Sequence, residues 1–415
     1  MSFTFGPETV RPAFDRPTPR ISYGLRFPEA CLHHCRDTFT SSRIYVICSK
    51  SIADKTDALT RLKDALGDRI AGVRIGISPH TPIAQVAETV VDARKHDVDC
   101  FVTLGAGSLT DAAKIVRLAI ANGATTEDEL LTLWGTTESN PARRKHIEKP
   151  TIPLIHIPTS LSGGEYQAIA GGTESKGHAK RTFNCEGVDP ELVIQDPELC
   201  LTTPEWVWLS TGMRAVDHCV ETMCSLQSNA VVDEWADRGL RKLVTGLLQS
   251  KADPTSLGAR HLCQLGVVEA MCAVSSGVPL GASHAIGHQL GPLGVGHGQT
   301  SCILLPAVCK FNLRHKANVD QQANTKAILA QLQVVQDLVA SSRGVPWDEL
   351  DLGDILGEII LALGMPRTLQ DVGLDQECID TLARNSLEDI WIRTNAVPIT
   401  EEAQVREILD MCIRK

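Results

Sequence analysis

The chain has 415 residues, more than one compact domain usually holds, and its 43% apolar and 22% charged residues suit a globular protein with a substantial core. A formal charge of -10, from 50 acidic against 40 basic side chains with no long basic run, excludes nucleic acid and anionic membrane as general partners. No apolar run has signal-peptide or membrane-span length, and 14 scattered Cys without a Cys-x-x-Cys pair read as buried thiols, so a cytoplasmic enzyme acting on a small molecule is expected.

Residues 1–20 carry four prolines and read as an N-terminal arm. Over 21–200, short β-rich runs alternate with amphipathic helical ones. "RIYVIC" precedes "ADKTDALTRLKDALGD", "VRIGI" precedes "PIAQVAETVVDARKH", and "CFVTLG" precedes "SLTDAAKIVRLAIA". This alternation predicts an α/β domain with a parallel sheet. "IPLIHIP" and "ELVIQDP" add strands, and the Gly-rich "SGGEYQAIAGGTESKG" between them reads as a hairpin or loop. Over 201–415 the periodicity is helical, as in "VDEWADRGLRKLVTGLLQS" and "TKAILAQLQVVQDLVASS", and predicts an all-α C-terminal domain. The boundary is expected near 196–204, where "DPELCLTTPEW" carries two prolines.

Two groups of residues carry chemistry. In "CFVTLGAGSLTDAAK" a strand runs into Gly105, Ala106 and Gly107, small residues that let backbone N–H groups approach a pyrophosphate. Ser108 and Asp111 have capping-box spacing at the start of the following helix. Such a turn is equally an ordinary tight connection, and it is not the Gly-x-Gly-x-x-Gly fingerprint. The second group is histidine-rich: His218 in "RAVDHCVE", then His284, His288 and His297 in "ASHAIGHQLGPLGVGH". His284 and His288 share a helical face, and His297 returns after a turn. His33, His34, His156, His261 and His315 lack such company and read as structural.

Taken jointly, these segments resemble the iron-containing alcohol dehydrogenase family, of dehydroquinate synthase-like fold. Its Gly-Gly-Gly-Ser-x-x-Asp-x-x-Lys signature is met except at Ala106. The resemblance implies an NAD(P) pyrophosphate on Gly105, Ala106, Gly107, Ser108 and Asp111, with Thr159, Ser160 and Ser162 of "PTSLSGGE" near the cofactor. Lys180 falls where the family carries a lysine near cofactor and substrate; a solvated surface lysine is the competing reading. At the end of the first strand, where many members have Asp, stand Ser49 and Lys50, which favours NADPH over NADH. A homodimer is implied as well.

His218, His284 and His297 match the family's three imidazole metal ligands, and His288 matches a proton-relaying histidine. The ligand Asp of the motif, four residues before the first His, is here Arg214. A guanidinium has no lone pair to give and stays charged. The expectation is therefore a weakened or absent iron or zinc, with Arg214 supplying the positive charge, assisted by protonated His218, His284 or His297. Asp217 points about 100° away from His218 on a helix and would share the site poorly. Glu221 lies on the face of Arg214 and is expected to pair with it or to replace the missing ligand.

Within the family the chain resembles the maleylacetate reductase branch, which has Asn at the ligand position and reduces an activated C=C bond without metal. "RTNAVPITEEAQVREIL" matches that branch's C-terminal Asn-Pro-Arg-Pro segment in part, Ala396 and Val397 replacing Pro-Arg. The expected activity is hydride transfer from NAD(P)H to an unsaturated carbonyl or carboxylate compound. The alternatives are an iron- or zinc-dependent alcohol dehydrogenase or aldehyde reductase, and a non-redox lyase, isomerase or cyclase.

Overall fold

The computed structural model describes residues 3–177, 179–342 and 344–414. The described residues divide into two compact units, one before and one from Pro204.

The first unit is built on a seven-stranded sheet. Its strands are β1 (Thr9–Phe14), β2 (Arg16–Tyr23), β3 (Ile44–Cys48), β4 (Ile70–Ile75), β5 (Cys100–Leu104), β6 (Leu154–Ile157) and, after a separate hairpin of β7 (Ile169–Thr173) and β8 (Lys180–Asn184), β9 (Leu192–Ile194). The spatial order is β1-β2-β9-β6-β5-β3-β4. All neighbours are parallel except β1 on β2. The stretch 1–20, expected as an arm either ordered on packing or flexible, supplies β1 and most of β2: Pro12, Pro17 and Pro19 sit on an edge hairpin, where a missing N–H leaves few ladder bonds unmade.

Strand periodicity explains the layering. Tyr45, Ile47 and Phe101 face one apolar layer with the helices Ile83–Arg94 and Ser108–Ala121. Ile44, Val46, Cys48, Val102 and Leu104 face the other, with Phe27–His33 and Ala58–Leu66. A parallel sheet covered on both faces needs such unbroken apolar strands. The chain winds from β3 outward to β4 and then returns to β5, so β3 and β5 flank the switch point where crevices open at strand carboxyl ends.

The second unit is helical. The helix Glu205–Cys224 is buried from Trp208 to its end except at Thr211. The helices Ala282–Leu290, His297–Arg314, Ile379–Ser386 and Glu402–Met411 share a core that includes Ile286, Leu304, Phe311, Leu382 and Ile408. Gly298 permits a close crossing. A Cβ there would meet the Ser210 carbonyl carbon and oxygen at 2.5 Å, so only glycine lets the start of the His297 helix lie on the Glu205–Cys224 backbone.

Candidate functional site

In the first unit, Ser49, Gly105 and Thr159 follow the carboxyl ends of β3, β5 and β6. Ser49 caps the helix Lys50–Lys55 by accepting from Ile52 N–H, and its Cβ lies 2.9 Å from where a Cβ on Gly105 would stand. Gly107, at φ +67, begins the helix Ser108–Ala121, and nothing lies within 4 Å of its missing Cβ. The turn therefore faces open space, and its backbone conformation is one that L side chains rarely adopt.

The expected Ser108–Asp111 capping box does not form. No side chain caps this helix. Asp111 is half-buried and accepts the Gly171 N–H of β7 at 3.1 Å, because the hairpin crosses over the helix and offers it a partner. The first-turn N–H groups are thus left without a side-chain cap, which suits an anion. Lys180 is exposed, but its stem lies over Gly171, 2.9 Å from the position of a Cβ there, and its charge acts on Asp111. The hydroxyls of Ser160 and Ser162 bond at 2.8 Å, and the Thr159 carbonyl accepts from Thr203. Beyond them Lys114 donates to the carbonyls of Gly164 and Ile169. Glu165, buried with neither oxygen bonded, is pushed up to about 7, chiefly by burial. Sequence reading passed over Glu165, since only burial makes it unusual.

In the second unit the structure gathers Arg214 and the four histidines. The rings of His218 and His284 stack at 4.8 Å, and those of His288 and His297 at 6.2 Å. Trp391 packs at 5.7 Å from His284 and 5.3 Å from His288, joining the two pairs. His288 Nδ1 lies 2.8 Å from Asp389, which fixes the ring.

The carboxylates differ from expectation. Arg214 Nη1 is 3.9 Å from Asp217 and donates to Ser301 Oγ at 3.2 Å. Its carboxylate within 4 Å is thus Asp217, three residues on, and not Glu221, because Glu221 is already engaged. It accepts the N–H groups of Gly281 and Ser283 and lies 2.7 Å from His284 Nδ1. Nor does Asp217 stand apart, since Ser283 and Ser301 both donate to its Oδ2 and His284 Nδ1 is 3.5 Å away. Arg214, Asp217, His218, Glu221 and His284 are buried together, while His288 is half-buried and His297 exposed, so inside this packed group a side chain need not point along a shared helical face to meet the others. Burial, then the Glu221 charge, raises the Asp217 carboxyl well above the usual range. Burial, with Arg214 acting in the same direction, holds His218 and His284 well below the usual histidine range. Burial therefore disfavours the protonated form of both rings, against the expectation that protonated His218 or His284 reinforces Arg214.

Four buried polar atoms here have no partner: Arg214 Nε, Asp217 Oδ1, His218 Nδ1 and His284 Nε2. Buried groups of this kind are nearly always satisfied, so their concentration at one place points to a ligand. A divalent ion on the three imidazoles fits poorly. Among the described residues, the donor atoms that converge within 4.8 Å in this unit belong to Asp217, Glu221 and His284, and His218 and His297 do not join them. A guanidinium also occupies the place of the anionic ligand. Asn395, of the partly matched C-terminal segment, bonds Asn312 and the Ala282 N–H and so serves as a pin between helices.

An α/β unit with an open glycine turn at the sheet's switch point, followed by a helical unit with a histidine cluster around a buried arginine, defines the class. The chain belongs to the iron-containing alcohol dehydrogenase family and is an oxidoreductase: the model of iron-containing alcohol dehydrogenases matches residues 24–197, and that of the family's C-terminal domain matches 208–413. Among relatives, the dehydrogenase FUM7 of Gibberella moniliformis is 37% identical, with 95% of this chain and 96% of that protein covered. The dehydrogenase ALT3 of Alternaria alternata is 36% identical over 89% and 99%. A maleylacetate reductase of Burkholderia cepacia is 28% identical over 85% and 87%. The crystal structure of maleylacetate reductase from a Rhizobium strain has the same fold, with a TM-score of 0.73 at 24% identity over 98% and 97% of the two chains. No helix among the described residues is long and apolar enough to cross a membrane.

Proposed function

We propose that this oxidoreductase is an NAD(P)H-dependent reductase that adds hydride to the activated C=C bond of an unsaturated carbonyl or carboxylate compound, without metal. The observation that carries the reading is Arg214: a buried guanidinium in place of a ligand, with an Nε–H that has no acceptor. When bound at the glycine turn, NAD(P)H supplies the hydride, and Ser49 with Lys50 favours the 2'-phosphate of NADPH.

Hydride addition at the β-carbon places negative charge on the substrate oxygen. Arg214 Nε–H, buried and without a partner, is a preorganised donor for that oxygen. His288, held through Nδ1 by Asp389, is the group that protonates the α-carbon from its other nitrogen, the carboxylate stabilising the imidazolium that donates. Its half-buried position suits proton exchange.

A second reading has one observation in its favour. His284 carries its Nδ1 on a carboxylate and leaves Nε2 bare, the arrangement of a metal-ligating imidazole. On that reading Glu221 holds the ring from its Nδ1 side, Asp217, whose Oδ1 is unbonded, replaces the missing ligand, and the protein is a metal-dependent dehydrogenase, in keeping with the names of its two more similar relatives.

The test is NADPH and NADH consumption with maleylacetate by protein stripped exhaustively of metal. Persistent turnover supports the metal-free reductase. Silence relieved by iron or zinc supports the second reading and overturns the first. Silence under every metal condition refutes maleylacetate as substrate.

A further inference from the structure

A second group of ligating side chains lies in the first unit, far in sequence from either motif. Glu8, just before β1, presents its two carboxylate oxygens to two consecutive imidazoles: Oε2 is 2.7 Å from His33 Nδ1, and Oε1 is 2.8 Å from His34 Nε2. Consecutive residues on an α-helix diverge by about 100°, so adjacent histidines do not ordinarily converge. Here they do, with ring centroids 4.9 Å apart, because the helix Phe27–His33 passes at this point into a π-helical turn, His34–Thr38. Such wide turns are rare and recur at functional sites.

The surroundings are those of a built site. Ser22 of β2 donates to Glu8 at 2.5 Å and fixes the carboxylate. Thr38 Oγ1, 2.9 Å from His34 Nδ1, orients that ring through its other nitrogen, as outer partners of metal-bound histidines do. His34 is buried, Glu8 partly buried and His33 half exposed, which leaves an approach for an ion and a water. Asp37 stands 3.9 Å from His33 Nε2, and Arg20 is the cation whose charge reaches His34.

We propose that Glu8, His33 and His34 form a zinc-binding clasp that ties the segment before β1 to the end of the helix Phe27–His33. The donor atoms lie within 4.8 Å of one another. Two imidazoles and one carboxylate are a recurrent zinc donor set, with water completing the tetrahedron. Binding needs no net loss of protons. The His33 proton moves from Nδ1 to Nε2, toward Asp37, and the His34 proton moves from Nε2 to Nδ1, toward the Thr38 hydroxyl.

The test compares the metal-stripped full-length protein with His33→Ala and Glu8→Gln, by equilibrium dialysis against micromolar Zn²⁺ followed by elemental analysis. Taking the difference between variants separates this site from anything bound near Arg214. The parent should hold one equivalent more than either variant, and Zn²⁺ should raise its melting temperature by several degrees but leave that of His33→Ala unmoved. Equal stoichiometry in all three proteins overturns the proposal. Because His33 is half exposed, its variant folds; as a second measurement, Co²⁺ should give the parent a tetrahedral visible spectrum that Glu8→Gln lacks, and identical spectra would also overturn it.

Discussion

Arg214 and Asp217 share one hydroxyl: Ser301 Oγ accepts from the Arg214 guanidinium at 3.2 Å and donates to Asp217 Oδ2 at 2.5 Å. This bridge seats a permanent cation among the histidines. Replacing it with the family's ligand, Arg214→Asp, should reverse the chemistry of the site. The variant is expected to retain at least one more equivalent of zinc or iron than the parent after dialysis, measured by elemental analysis. It should also lose activity in metal-free buffer by about 100-fold, the scale of losing one preorganised charge donor. An unchanged metal content would show that Arg214 does not control the ion.

Ser49 follows β3 next to Gly105, where a side chain would face the ribose of a dinucleotide lying on the glycine turn. Ser49→Asp retains a cap for the helix Lys50–Lys55 and adds negative charge against a 2'-phosphate. NADPH should bind about tenfold more weakly, or ~1.4 kcal/mol, while NADH binding holds or improves. Fluorescence titration with both cofactors measures this. A parallel loss for both would place Ser49 outside ribose recognition.

Glu165 holds its proton in the folded protein up to about pH 7, against an ordinary glutamate value of 4.5. A carboxyl raised in this way binds more protons folded than unfolded. Its contribution to stability is complete below the unfolded value and is lost as pH rises through the folded one. Stability of the first unit should therefore fall between about pH 4.5 and 7.5, by roughly 3 kcal/mol from this group. Glu165→Gln, which cannot ionise, should flatten that slope. Denaturant midpoints at pH 5, 6, 7 and 8 decide it, and parallel slopes in parent and variant would contradict the assignment.

Gly298→Ala puts a methyl group 2.5 Å from the Ser210 carbonyl, where backbone rather than a flexible side chain must yield. The cost should be about 1–3 kcal/mol, with His297 displaced from its stack on His288. Thermal unfolding and the pH profile of turnover together report it. A variant as stable as the parent would mean that the two helices separate freely.

The local patterns are legible in the sequence. Alternating apolar strands and amphipathic helices determined the parallel α/β unit, and 3.6-residue periodicity determined the helical one, because burial on two faces or on one stripe leaves its period in the chain. The spacing of Gly105, Ala106 and Gly107, and of the four histidines, marked both regions of chemistry. The substitution at position 214 marked the departure. What the sequence could not decide was partnership. Asp217, placed by helical geometry on the wrong side of His218, is reached by Ser283 and Ser301, which lie 66 and 84 residues on. Asp111 abandons its own helix start for Gly171, 60 residues away. Prolines that suggested an arm lie on an edge hairpin, and His33 and His34 gain a carboxylate from Glu8 on a different element. Hydrogen bonding and desolvation act between side chains brought together by packing, across separations that no local period records, so the tertiary structure alone decides which charges are paired, which are neutralised and which are left waiting for a ligand.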